Sequence, residues 1–178
     1  MSHVLVAGMG NVLRRDDGFG VEVAKRLSAP GALPAYVKVI EVGIGGIHLV
    51  QELMGGYEAL IIIDALERGS PPGTVHVLEA EVPDLETWSR DKREDFLCDM
   101  HYTTPTKAMI LAKALHVLPP KVYLVGCQPA EVDELGIGLS AVVAGAIDPV
   151  IHRIEKLVAG LEHSRPHELR VANVEPST

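Results

Sequence analysis

Short apolar runs alternate with amphipathic stretches along this chain, a rhythm that predicts parallel strands joined by crossover helices. His3 to Met9 (HVLVAGM) reads as a first strand. Phe19 to Leu27 predicts a helix, with Val21, Ala24 and Leu27 on one face and Glu22, Lys25 and Arg26 on the other. Tyr36 to Val42 reads as a second strand, and Ile47 to Met54 as a short helix after the glycines Gly43, Gly45 and Gly46. Ala59 to Ile63 (ALIII) is wholly apolar, as a strand buried on both faces of a parallel sheet should be.

The second half is less regular. Gly69-Ser70-Pro71-Pro72-Gly73 is a turn, and Thr74 to Glu79 (TVHVLE) then alternates like an edge or half-exposed strand. Residues 81–100 are charged and poorly periodic, predicting a long surface segment with one helical turn; loops of that length are often functional. Thr104 to Leu115 predicts a helix, Lys121 to Cys127 (KVYLVGC) the last strand and Gln128 to Gly138 a loop. Ser140 to Leu161 predicts a long helix, kinked at Pro149. The expected architecture is a mostly parallel, about five-stranded twisted sheet in one α/β domain over residues 1–161, with 162–178 as a flexible tail.

Composition narrows the function. Hydrophobic residues make up 47% of the 178, enough for a packed core, while aromatics at 4% leave that core to Val, Leu, Ile and Ala. The net charge of −8, with no Lys/Arg cluster, removes the main driving force for nucleic-acid binding. No apolar run approaches the ~18 residues of a membrane span. The start, Met1-Ser2-His3, lacks the basic and apolar regions of a signal peptide. Two cysteines, Cys98 and Cys127, form no CxxC pair and read as reduced thiols, so the expected location is cytoplasmic.

The first strand runs into Gly8-Met9-Gly10-Asn11-Val12-Leu13-Arg14-Arg15-Asp16-Asp17-Gly18-Phe19-Gly20. A dinucleotide fingerprint would need glycine at position 13, where Leu stands, and Glu41 follows too late to serve as its ribose-binding acid. What remains is a glycine-rich loop with two adjacent acids at a helix start. Either acid could cap that helix while the other points into a cleft. Asp64 ends the most apolar strand, where an ionised carboxylate is costly unless paired, hydrogen-bonded to loop amides or metal-bound. With strand order 2-1-3, Asp17 and Asp64 emerge together at the topological switch point, outside the carboxyl ends of neighbouring strands.

Two carboxylates holding a metal commonly gain a nitrogen ligand. Most of the eight histidines lie on predicted strands, helix ends or the tail; His101 differs in occupying a loop just before the Thr104 helix. A serine nucleophile is disfavoured, because Gly138-Leu139-Ser140-Ala141-Val142 is not GxSxG. A Cys98–His101 pair is conceivable, but neither cysteine has an electropositive setting.

Four segments together resemble the hydrogenase maturation endopeptidases, over roughly residues 3–160. They are Gly8 to Leu13 with Asp16 to Gly20; Ile61-Ile62-Ile63-Asp64-Ala65 followed by Pro72-Gly73-Thr74; His101 before a helix; and Leu124 to Pro129 leading to Gly136 to Ser140. The resemblance implies a three-layer α/β/α sandwich and cleavage of the C-terminal extension from the large-subunit precursor of a nickel-iron hydrogenase. It implies Asp17, Asp64 and His101 as metal ligands and catalytic residues, with nickel supplied by the precursor and other divalent metals able to occupy the site. Substrate contacts fall on Gly43, Ile44, Gly45 and Gly46. Asp17 stands where some members have Glu, and Ile44 where Thr is common, which removes a hydroxyl from that loop. The partner is the precursor, with no nucleic acid or membrane insertion, and the protein is expected to be a monomer. The competing readings are a non-cleaving, nickel-sensing assembly factor for the same precursor and a nucleotide-binding module.

Overall fold

The computed structural model describes residues 3–98 and 104–163. Five strands, β1 (Val4–Met9), β2 (Val37–Gly43), β3 (Ala59–Ala65), β4 (Val75–Glu79) and β5 (Lys121–Cys127), form one sheet in the order β2-β1-β3-β5-β4. The pairs β1–β2, β1–β3 and β3–β5 are parallel, and β4 lies antiparallel on β5 at the edge. The chain therefore moves out from β1 in both directions, opening a crevice between β1 and β3 at their carboxyl ends.

Strand alternation divides the core in two. One face of the sheet carries Val4, Val6, Ile61 and Ile63, packed against Phe19 and Val23 of α1 (Phe19–Leu27) and Val150, Ile154 and Val158 of α6 (Ile147–His163). The opposite face carries Leu5, Ala7, Leu60 and Ile62, covered by Leu49 and Leu53 of α2 (Gly46–Leu53) and Ala108, Met109 and Ala112 of α4 (Pro105–Ala114). This is the three-layer sandwich that the family resemblance implies, built on the mostly parallel sheet the alternating pattern predicts. β3 is buried from Ala59 to Ile63 because it is central and covered on both sides. Complete burial of each of its isoleucines contributes about 2 kcal/mol.

Three expectations change. The charged segment holds more helix than one turn: a 3₁₀ turn at Leu85–Thr87 and α3 (Arg90–Cys98). The reason is aromatic packing. Trp88 and Phe96 meet edge to face at 5.6 Å, Lys92 lies 4.3 Å over the indole, and Leu85 and Phe96 cover Ile110 of α4. The predicted long kinked helix is two helices, α5 (Ala141–Ala144) and α6, separated at Gly145-Ala146. Pro149 lies in the first turn of α6, where its missing N–H is not required, and so does not mark the break. α6 also continues through His163, past the predicted start of the tail; residues 164–178 lie outside the described ones. No helix among the described residues is long and apolar enough to cross a membrane.

Candidate active site

The loop after β1 is shaped by close approach. Gly10 has φ +118°, and a Cβ there would fall 1.8 Å from the carbonyl oxygen of Asp17. A register shift between Gly8 and Met9 pairs Met9 with Gly43, and the Gly10 amide donates to the Gly43 carbonyl at 3.0 Å. The first and second loops are thereby bonded where they leave the sheet. The amides of Asn11, Leu13 and Arg14 are engaged too, with Asp17 Oδ2, Asn11 Oδ1 and the Asn11 carbonyl. Four of the loop's amides are thus spent internally, whereas a phosphate-cradling loop turns its amides toward the ligand.

The adjacent acids diverge. Asp16 is fully buried and accepts from the amides of Ala130, Glu131 and Ser140 and from the Ser140 hydroxyl. Burial alone would raise its pKa, but those hydrogen bonds to the anion outweigh it and hold the carboxyl below the usual range. Asp17 turns the other way and accepts from the Asn11 amide at 3.1 Å. Neither acid caps α1: its N-cap is Gly18, with no side-chain hydrogen bond. The expected division into cap and cleft is instead one between a loop anchor and a cleft residue.

Asp17 and Asp64 line the same cavity of about 290 Å³. Arg14 also lines it from the first loop, and Gly43 and Ile44 from the second. Asp64 is positioned by β3 and accepts from the Ala65 amide at 2.9 Å. Burial, with a smaller contribution from the charge on Asp17, pushes its carboxyl up to about 7 despite that hydrogen bond. The remaining oxygens, Asp17 Oδ1 and Asp64 Oδ2, accept no hydrogen bond from the described residues. A half-buried pair of carboxylates with one unclaimed oxygen each is a donor set suited to a divalent cation.

His101 lies outside the described residues, as does the segment 99–103. Thr104 and Pro105, which follow it at the start of α4, line the acid cavity, and Thr104 caps α4 by accepting from the Lys107 amide. Among the described residues no third His, Cys, Asp or Glu joins the two acids, and no imidazole lines their cavity. His116 faces a separate groove beside the start of β5, and His152 pairs with Glu155. Of the four expected substrate-contact residues, Gly43 and Ile44 reach the cavity, whereas Gly45 and Gly46 begin α2. Cys127 is fully buried and its thiol is pushed up to about 11, chiefly by burial, so it is not a nucleophile.

Sequence reasoning missed Asp16 as an anchor, and Arg14 and Thr104 as cavity residues. Asp16 has no local signal, because its partners lie more than a hundred positions away. Thr104 could be recognised as a helix cap from Thr-Pro, though not as a cavity wall.

A doubly wound sheet with paired acids at its switch point defines a class of α/β protein whose ligand or substrate enters over the carboxyl ends of β1 and β3. Comparison with known proteins specifies it further. The profile of the hydrogenase maturation protease family matches residues 21–157, and the chain belongs to that family of peptide-bond hydrolases. It is 34% identical over 176 residues to the hydrogenase expression/formation protein HupD of Rhodobacter capsulatus, covering 98% of this chain and 80% of that protein. The crystal structure of hydrogenase 2 maturation peptidase from Thaumarchaeota archaeon SCGC_AB-539-E09 superposes with a TM-score of 0.64 at 32% identity, covering 88% of this chain and 98% of the other. The hydrogenase maturating endopeptidase HybD from E. coli gives a TM-score of 0.67 at 27% identity, covering 91% and 93%.

Proposed function

We propose that this protein removes the C-terminal extension of a nickel-iron hydrogenase large-subunit precursor after nickel insertion, acting in the cytoplasm as a monomer. The observation that carries the reading is the convergence of Asp17 and Asp64, from separate loops, on one cavity at the switch point. His101 is proposed as the third ligand. Thr104, three positions later at the cavity wall, supports this assignment.

The nickel is part of the substrate in this reading. Two carboxylates and an imidazole leave coordination positions for ligands that the precursor brings. A divalent ion held there supplies Lewis-acid polarisation of the scissile carbonyl. The protein's own residues do the rest. Asp17 is held in orientation by the Asn11 amide. Asp64, fixed near the end of β3 and bonded by the Ala65 amide, supplies the second carboxylate ligand and is ionised in that role. Gly43 and Ile44 form the wall along which the extended peptide lies, and Ile44 offers it apolar contact without a hydroxyl.

Incubation with the nickel-loaded precursor, followed by mass spectrometry, tests the proposal. The expected result is a shortened precursor with wild-type protein, and an intact one with Asp17→Asn, Asp64→Asn or His101→Ala. A precursor that binds but keeps its mass would instead identify a non-cleaving assembly factor.

A further inference from the structure

Beside the acid cavity, next to its lining residue Arg14, lies an apolar rim that the chemistry of peptide cleavage leaves unused. Leu135 and Ile137, in the loop between β5 and α5, are 84% and 81% exposed, and Leu13 in the first loop is 55% exposed. Scattered single leucines on a surface call for no explanation; a held group does. These three are held together. The Arg15 amide donates to the Gly136 carbonyl at 3.0 Å, and the Gly136 amide to the Leu13 carbonyl at 2.9 Å.

This bridge flanks Gly136 with two outward-facing apolar residues and sets them beside Leu13. Gly136 itself packs so closely on Arg15 that a Cβ would fall 2.4 Å from Nε. Asp16 anchors the same loop from below through Ala130, Glu131 and Ser140. The loop is thus bonded at several points yet directs its largest apolar side chains into solvent. Ordering Leu135 and Ile137 there yields little burial against the described residues.

Charge narrows the occupant. Glu131, Asp133 and Glu134 lie exposed on the same loop, and no ion pair among the described residues uses their carboxylates. The rim is continuous with the proposed active site, because Arg14, bridged to Gly136, lines the acid cavity. A partner that fits therefore presents an apolar patch bordered by Lys or Arg, and engages it while its scissile segment reaches the acids.

We infer that Leu13, Leu135 and Ile137 form a docking rim for the folded body of the precursor, gripping an apolar, basic-edged surface separate from the peptide that is cut. The inference rests on the proposed precursor as partner, but it concerns binding and is readable without cleavage. The test measures the affinity of nickel-loaded precursor for full-length protein by biolayer interferometry. Leu135→Ser/Ile137→Ser is expected to bind roughly tenfold or more weakly at an unchanged melting midpoint. Asp133→Lys/Glu134→Lys should also weaken binding and flatten its salt dependence. Met54→Ser, an exposed apolar residue at the far end of α2, serves as control and should bind like wild type.

Equal affinity of the Leu135/Ile137 variant and wild type would overturn the inference. So would equal weakening by Met54→Ser, or no precursor binding by wild type. A wild-type dimer that the double variant converts to monomer, with precursor binding intact, would assign the rim to self-association and equally overturn it. Loss of binding in the rim variant alone supports it, even if neither protein cuts.

Discussion

Asp16 and Ser140, 124 positions apart, are joined by two hydrogen bonds to one carboxylate: the Ser140 amide donates at 2.7 Å and its hydroxyl at 2.9 Å. This contact ties the entry to α5 to the turn that carries Asp17. The buried anion is tolerated because four donors surround it. It makes the loop after β5 part of the cavity's frame.

Removing the anchor should therefore cost far more than removing one of its bonds. Asp16→Ala leaves several buried donors unpaired and should lower unfolding free energy by about 3 kcal/mol or more. Ser140→Ala removes only the hydroxyl and should cost about 1 kcal/mol. Urea denaturation of both variants gives the comparison, and similar losses would contradict the anchor role. Because the folded pKa of Asp16 is depressed, its contribution is fully present above the ordinary aspartate value of about 3.9 and is lost as pH falls below it.

Asp64 has the opposite sign. Its folded pKa of about 7 lies above the unfolded value, so between those two the unfolded chain releases a proton that the native state keeps. The ionised side chain thus costs stability that grows as pH rises from about 4 to 7. Asp64→Asn should raise the melting temperature at pH 8 and change it little at pH 4. Thermal scans across that range test this; a variant less stable than wild type at pH 8 would refute it.

A divalent cation should relieve the same strain. Titration calorimetry with Zn²⁺ or Ni²⁺ is expected to show proton release at pH 6 and affinity rising with pH through about 7. Asp17→Asn should weaken binding about tenfold or more, since it removes one of the two carboxylates facing the cavity. Binding without proton uptake or release at pH 6 would place the metal elsewhere.

Two glycines should fail in different ways. At Gly20 a Cβ would sit 2.0 Å from the Ile63 carbonyl oxygen and 2.4 Å from that of Met9. Gly20→Ala must push α1 off the sheet, with an expected stability loss of about 3 kcal/mol. At Gly10 the clash is with the Asp17 backbone, so Gly10→Ala should displace the acid and abolish precursor cleavage. Paired melting and cleavage measurements distinguish the two; full activity in Gly10→Ala would exclude the displacement.

Much of this molecule is written in local pattern. The helix Phe19–Leu27 and the strand Lys121–Cys127 match expectation residue for residue, because each carries a complete apolar face or run between clear breakers. β3 announced both its burial and its terminal acid, since hydrocarbon side chains on both faces leave a central parallel strand as the natural place for such a run. Neighbourhood in three dimensions was another matter. That Asp16 turns inward and Asp17 toward the cavity depends on the loop at 130–140, which no spacing near residue 16 encodes. Helix existed in the charged segment because Trp88 and Phe96 found Ile110, a tertiary contact that supplies apolar burial its own weak periodicity lacks. Composition and period determine which residues must leave water; only the packed chain decides which of the others then face one another across a cavity.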